Sequence, residues 1–472
     1  MANAAQVREE IGHPIVDGDG HTVEFMPALA PLMAEEGVDL RGPSMQRTMS
    51  GSFGPPADWH AAEPAERTAR RIARGPWAGS PSSATDMATS LLPSLLYERL
   101  DELGLDVSVV YPSFGLLFPH FEDETDRRGA CRALNRFNAE IFAPFADRLI
   151  TVASIPMHTP EEAIDELEHV ASLGTKAIVM AGFVQRPADV LADDPVASAY
   201  GVWTDTFGLD SAYDYDPVWA KCVELGLCPS FHSGALGWQN RASTSSYVYN
   251  HVGMLGESNH AIAKSLFLGG VTRRFPQLNF GFMEGGVAWA ASLFADLLGH
   301  WEKRNVAEMQ RLDPAKADWD TVAELFAKYG GPWAEQAPKR RNGYRPTDAE
   351  MLDEFVACGI ESAADIHELF VPRYYAGCEA DDPMTAIAFA SHMHPHGARF
   401  NAILGSDISH WDVPDMTDVV PEAWEMVEDG PLSAQDFRDF ALVNPVRFYG
   451  RVNPGFFEGT MVADEAAALL AG

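Results

Sequence analysis

At 472 residues the chain is longer than one compact core usually needs, yet it lies within the range of an α/β barrel carrying insertions. Lys+Arg of 34 against Asp+Glu of 68 gives a formal charge of -34, spread along the chain. Such a charge repels nucleic acid and anionic membrane surfaces, which excludes both as partners and leaves a small-molecule substrate as the expectation. The N-terminal residues lack the apolar core of a signal peptide, and no run of about 18 apolar residues occurs. The five cysteines (Cys131, Cys222, Cys228, Cys358, Cys378) are odd in number and form no CxxC pair. They fit reduced thiols, and the expected location is the cytoplasm.

The first predicted strand, 15–19, runs into Gly20-His21 and is closed by Glu24. Side chains two apart on an extended strand share a face, so Asp17, Asp19 and His21 are expected to project together. Their hard oxygens and borderline nitrogen suit Zn²⁺, Mn²⁺ or Fe²⁺. Further strands are predicted at 107–111, 149–155, 177–180, 228–232, 278–283, 374–378 and 401–406. Between them lie helix patterns such as 131–145, 160–173 behind a Thr159 cap, and 217–225 before Gly226. Eight strands each followed by a helix is the count of a parallel (β/α)₈ TIM barrel, here expected as one domain over 1–472. Segments at about 41–90, 185–213 and 313–365 interrupt the succession and read as insertions on the C-terminal, active-site face. Trp77, Phe114, Trp203 and Phe207 are the candidate pocket walls.

Chemistry concentrates where these strands end. His232 closes the fifth, Glu284 follows the sixth and Asp407 follows the eighth. Asp19, His21, His232 and Asp407 would surround one divalent ion with two imidazoles and two carboxylates, leaving positions free for water and substrate. Asp17 ranks behind these four, as a group that could orient a histidine, and a second ion depends on where Asp17, Glu24 and Glu284 point. The expected reaction is attack by a metal-activated water. Asp407 takes the water's proton, and His410 or Glu284 delivers one to the leaving group of an amide, lactone, ester or thioester with a bulky apolar acyl group. The alternative on the same metal is non-oxidative decarboxylation of an aromatic or enoic acid, with His120, His251 or His260 as the acid. The structural alternative for Glu284 is an ion pair with Arg273 or Arg274. The histidines of 392–396 read as the cation-capped end of the seventh helix.

Six motifs resemble, in order and over most of the chain, the amidohydrolase-related family: the relatives of aminocarboxymuconate semialdehyde decarboxylase within the amidohydrolase superfamily. They are Asp17-Gly-Asp19-Gly-His21-Thr-Val-Glu24, Phe231-His232-Ser233-Gly234, Arg274-Phe275-Pro276-Gln277-Leu278, Glu284-Gly285-Gly286-Val287-Ala288-Trp289, Gly405-Ser406-Asp407-Ile408-Ser409-His410-Trp411 and Asn444-Pro445-Val446-Arg447-Phe448-Tyr449-Gly450. The resemblance implies a TIM barrel binding Zn²⁺, Mn²⁺ or a similar ion, with Asp19 and His21, His232 and Asp407 as its ligands, and a homodimer. One departure weighs against decarboxylation. Where the family's decarboxylases usually carry a histidine before the Gly-Gly pair after strand 6, the implied acid/base, this chain has Glu284.

Overall fold

The computed structural model describes residues 3–42, 57–75, 83–191, 193–194, 197, 201–232, 242–311, 317–338 and 353–472. Eight short strands form one sheet: β1 (Val16–Thr22), β2 (Val107–Pro112), β3 (Leu149–Ile155), β4 (Ala177–Met180), β5 (Cys228–Phe231), β6 (Phe280–Phe282), β7 (Tyr374–Glu379) and β8 (Asn401–Gly405). They lie in chain order and every pairing is parallel. β1 and β8 meet through Asp407 N–H donating to Asp19 O at 3.0 Å and His21 N–H donating to Ile408 O at 3.2 Å, so the barrel closes at its rim.

Alternation along the strands separates two cores. Val107, Val109 and Tyr111 of β2 point inward and pack with Val152, Val179, Met283, Tyr375 and Ile403, together with Phe448 and Tyr449 of the C-terminal helix Asn444–Gly450. Val110, Ala153, Ile155 and Ile178 face the other way, against the helix side chains Leu167, Val170, Val218 and Trp219. The crossover helices Pro160–Ser172 and Asp216–Leu225 form where their patterns predict, the former capped by the Thr159 side chain and the latter ended by left-handed Gly226, whereas the helix expected over 131–145 starts earlier and runs Glu124–Phe142.

Between β7 and β8 the expected α-helix is replaced by short 3₁₀ turns, Pro383–Ala388, Ser391–Met393 and Pro395–Gly397. Proline removes a backbone donor and restricts the residue before it, which keeps this crossover from closing α-helical turns. The histidine tract therefore caps no helix; His394 Nε2 donates to Ile387 O at 2.6 Å. In the second inserted segment, Val184–Pro187 and Val202–Asp205 pair as an antiparallel ribbon. All five cysteines are buried and unbridged, and no described helix is long and apolar enough to cross a membrane.

Candidate metal centre

The Asp-Gly-Asp-Gly-His run does not continue as a regular strand. β1 pairs Asp17 with Ser108 but Gly20 with Val110, so one extra residue bulges out between them. Asp17 thereby takes the outward register of Ser108, whereas His21 takes the inward register of Tyr111. The expectation that Asp17, Asp19 and His21 share a face is corrected by this phase shift. Asp17 accepts from Ser108 Oγ at 2.5 Å, from Ser406 Oγ at 2.8 Å and from Ser406 N at 2.9 Å, tying β1 to β2 and to the residue before Asp407. Both glycines are required by close approach. A Cβ on Gly18 would lie 2.3 Å from Ile403 Cγ2, and one on Gly20 would lie 2.4 Å from Asp17 Oδ2.

Inside the rim, Asp19, His21, His232 and Asp407 converge, with side chains 0 to 4% exposed. Nε2 of His21 lies 3.0 Å from Nε2 of His232, 3.6 Å from Asp19 Oδ1 and 3.5 Å from Asp407 Oδ1. Nε2 of His232 lies 3.7 Å from Asp19 Oδ1. Two donors each about 2.1 Å from a common ion stand about 3.0 to 3.4 Å apart at octahedral or tetrahedral angles. Asp19 Oδ1 and Asp407 Oδ2 are buried without a hydrogen-bond partner among the described residues, a costly arrangement unless a cation meets them. Donor chemistry, spacing and unsatisfied oxygens all fit a divalent metal ion.

Glu284 is not paired with Arg273 or Arg274. Its Oε2 lies 2.9 Å from His232 Nε2, while Arg274 bonds Asp216 and Arg273 reaches the Cys358 and Gly359 carbonyls. Glu284 and Asp407 both adopt left-handed backbone, at φ 54° and 46°. Residues other than glycine, asparagine and aspartate rarely sit there, and such strain clusters at functional sites. His410 places Nδ1 2.6 Å from Asp407 Oδ1 and Nε2 3.2 Å from Ser113 Oγ, with its ring 3.9 Å from that of His21. Glu24 accepts from the amides of Phe114 and Gly115 at 2.8 and 3.1 Å, so it organises the turn after β2 and does not face the donor set.

Burial dominates the electrostatics. It pushes Asp19 up to about 8, against the lowering charge of His232, and raises Asp407 well above the carboxylate range with help from Glu284, Asp412 and Glu379. It lowers His21 strongly and His410 to about 3. His232 runs the other way: although burial opposes its charged form, the charges of Asp19 and Glu284 raise it.

Sequence reasoning names His251 only as a replacement acid and does not name Asp412 or Glu379. The structure brings all three to this rim. His251 Nε2 lies 3.7 Å from Asp412 Oδ2, and with Glu284 these residues offer ligand atoms within 4.8 Å of one another. Glu379, at the end of β7, is pushed up to about 9 by burial and by the charges of Glu284 and Asp412. The available signal was position alone, since Glu379 ends a strand and Asp412 follows Asp407 closely.

Leu116, Pro119, His120, Val179, Met180 and Ala181 line a shallow recess beside His232. Burial lowers His120 to about 4. The expected pocket walls are elsewhere. Phe207 packs in the main core against Tyr215 at 4.8 Å, Phe114 belongs to a satellite core and Trp203 is exposed on the ribbon. Trp77, Ser233 and Gly234 lie outside the described residues. His260 is on the helix Met254–Leu268, away from the recess lining.

Residues 106–332 match the family model described as amidohydrolase. The fold is similar to that of an amidohydrolase from Mycobacterium avium subsp. paratuberculosis, with 14% identity, a TM-score of 0.53, and coverage of 93% of this chain and 100% of that one. It is also similar to 5-carboxyvanillate decarboxylase from Novosphingobium aromaticivorans, solved with bound manganese and 3-methoxy-4-hydroxy-5-nitrobenzoic acid. There the identity is 13% and the TM-score 0.50, covering 93% of this chain and 98% of that one.

Proposed function

We propose that this chain, whose residues 106–332 match the amidohydrolase family model and which carries a buried donor set suited to a divalent ion, is a metal-dependent, non-oxidative decarboxylase of an aromatic or enoic acid. Asp19, His21, His232 and Asp407 hold the metal. When bound, the ion supplies Lewis-acid polarisation of a substrate oxygen. The observation that carries the reading is the convergence of Asp19, His21, His232 and Asp407 at the barrel mouth, two imidazoles and two carboxylates buried together with unsatisfied oxygens. The fold shared with a manganese-containing carboxyvanillate decarboxylase supports the same reading.

In this reaction the bond from the ring or alkene carbon to the carboxyl carbon breaks and carbon dioxide leaves. The bonding electron pair stays on the remaining carbon, which takes up a proton. His410, with Nδ1 2.6 Å from Asp407 Oδ1 and Nε2 3.2 Å from Ser113 Oγ, relays the proton from solvent to that carbon. It takes the part that the missing strand-6 histidine would have played.

Hydrolysis keeps one observation on its side. A carboxylate, Glu284, stands at the rim where a general base for water would be needed. The two readings separate in one assay. With Mn²⁺ in deuterated buffer, a panel of hydroxybenzoates and muconate semialdehydes should release carbon dioxide and give product with one deuterium on the former carboxyl-bearing carbon. Turnover of esters or thioesters, with no carbon dioxide from any acid, would overturn the proposal.

A further inference from the structure

We propose that His251, Glu284 and Asp412 hold a second divalent cation beside the first, with Glu284 common to both sites. The inference rests on the first-site assignment above and extends it. Nε2 or Nδ1 of His251 and one oxygen each of Glu284 and Asp412 lie within 4.8 Å of one another, close enough for a single ion. Glu284 also belongs to the group of His21, Asp407 and His410, and its Oε2 is 2.9 Å from His232 Nε2, so it stands between the two sets of donors.

Two unpartnered oxygens mark the junction. Asp407 Oδ2, on a side chain 4% exposed, has no hydrogen-bond donor among the described residues, and its carboxylate abuts that of Asp412. Asp412 Oδ1 is likewise buried and without a partner there. Two carboxylates in contact need either a shared proton or a shared cation between them, and the neighbouring His251 and Glu284 make the cation the better-supplied choice.

Charge gives an independent argument. Asp19, Glu284, Glu379, Asp407 and Asp412 crowd one rim, and none forms a salt bridge to lysine or arginine among the described residues. One divalent ion offsets two of these charges; a second brings the site near neutrality once the histidines are neutral. One imidazole with carboxylates is a donor set for Mn²⁺ or Zn²⁺ in preference to Ca²⁺ or Cu⁺. His251 and Asp412 side chains are 24% and 21% exposed, so the second ion would face the solvent side.

The test uses the full chain, stripped with chelator, reloaded with Mn²⁺ and desalted. Mass spectrometry should count about two Mn²⁺ per wild-type chain, and electron paramagnetic resonance should show a spin-coupled pair. His251→Ala and Asp412→Asn, both at partly exposed positions, should halve the count and leave the spectrum of an isolated ion. One Mn²⁺ per wild-type chain with an uncoupled spectrum overturns the second site and leaves the first. Two ions retained in both variants overturn this choice of residues, and no bound Mn²⁺ overturns both sites together.

Discussion

Glu284 Oε2 stands 2.9 Å from His232 Nε2. The residue that departs from the family's histidine is thus in contact with the donor set instead of pairing with a neighbouring arginine. Its left-handed backbone, shared with Asp407, is held by the surrounding structure at a cost on the order of 1 kcal/mol. Replacing Glu284 with Gln keeps the shape and removes the charge. The expectation is a carbon dioxide release rate at least tenfold lower with an unchanged melting temperature; wild-type rates would remove Glu284 from the chemistry.

Asp407→Asn tests the carboxylate beside the proton-relaying His410. General acid–base catalysis contributes about 10²- to 10⁴-fold, so decarboxylation should fall by at least that range, while circular dichroism and melting remain near wild type. The substitution replaces the carboxylate 2.6 Å from His410 Nδ1 with a neutral amide. Full activity of the variant would end the assignment.

The pH dependence of metal uptake follows from Asp19. Burial pushes its carboxyl from the ordinary 3.8 up to about 8. A ligand must be deprotonated, so below about pH 8 each bound Mn²⁺ displaces that proton, and affinity climbs about tenfold per pH unit before levelling above it. The same shift sets the stability of the chelator-stripped protein. The folded chain keeps a proton that the unfolded chain has lost, so this contribution to stability falls as pH rises from about 4 to about 8. Calorimetric titration across that window checks the first trend and urea unfolding the second; pH-independent Mn²⁺ affinity would contradict both.

Asp17 separates a supporting role from ligation. Its bonds to Ser108 and Ser406 are buried, so Asp17→Ala should cost about 2–4 kcal/mol in urea unfolding. The number of Mn²⁺ bound per chain should stay the same in whatever fraction remains folded. A lost equivalent would make Asp17 a ligand.

The recess beside His232 is tested by adding bulk to its lining. Ala181→Leu adds bulk beside His232 without touching a ligand, so kcat/KM for a ring substrate should drop at least tenfold with Mn²⁺ stoichiometry unchanged. An unaffected kcat/KM would place the substrate elsewhere.

Local pattern was enough to locate all eight barrel strands and the strand ends carrying Asp19, His21, His232 and Asp407, because short apolar runs and helix caps act over a few residues. What the tertiary structure alone decided was which side chains share the interior. The bulge in β1 depends on pairing with β2, and it turned Asp17 outward while Asp19 and His21 stayed in. The helix expected before β8 gave way to 3₁₀ turns at two prolines. Of the aromatics expected as pocket walls, Phe207 and Phe114 went into packed cores and Trp203 stayed exposed. His251 and Asp412, distant in sequence, came to face Glu284. Contacts between distant segments are set by barrel closure and packing, which no window of residues encodes.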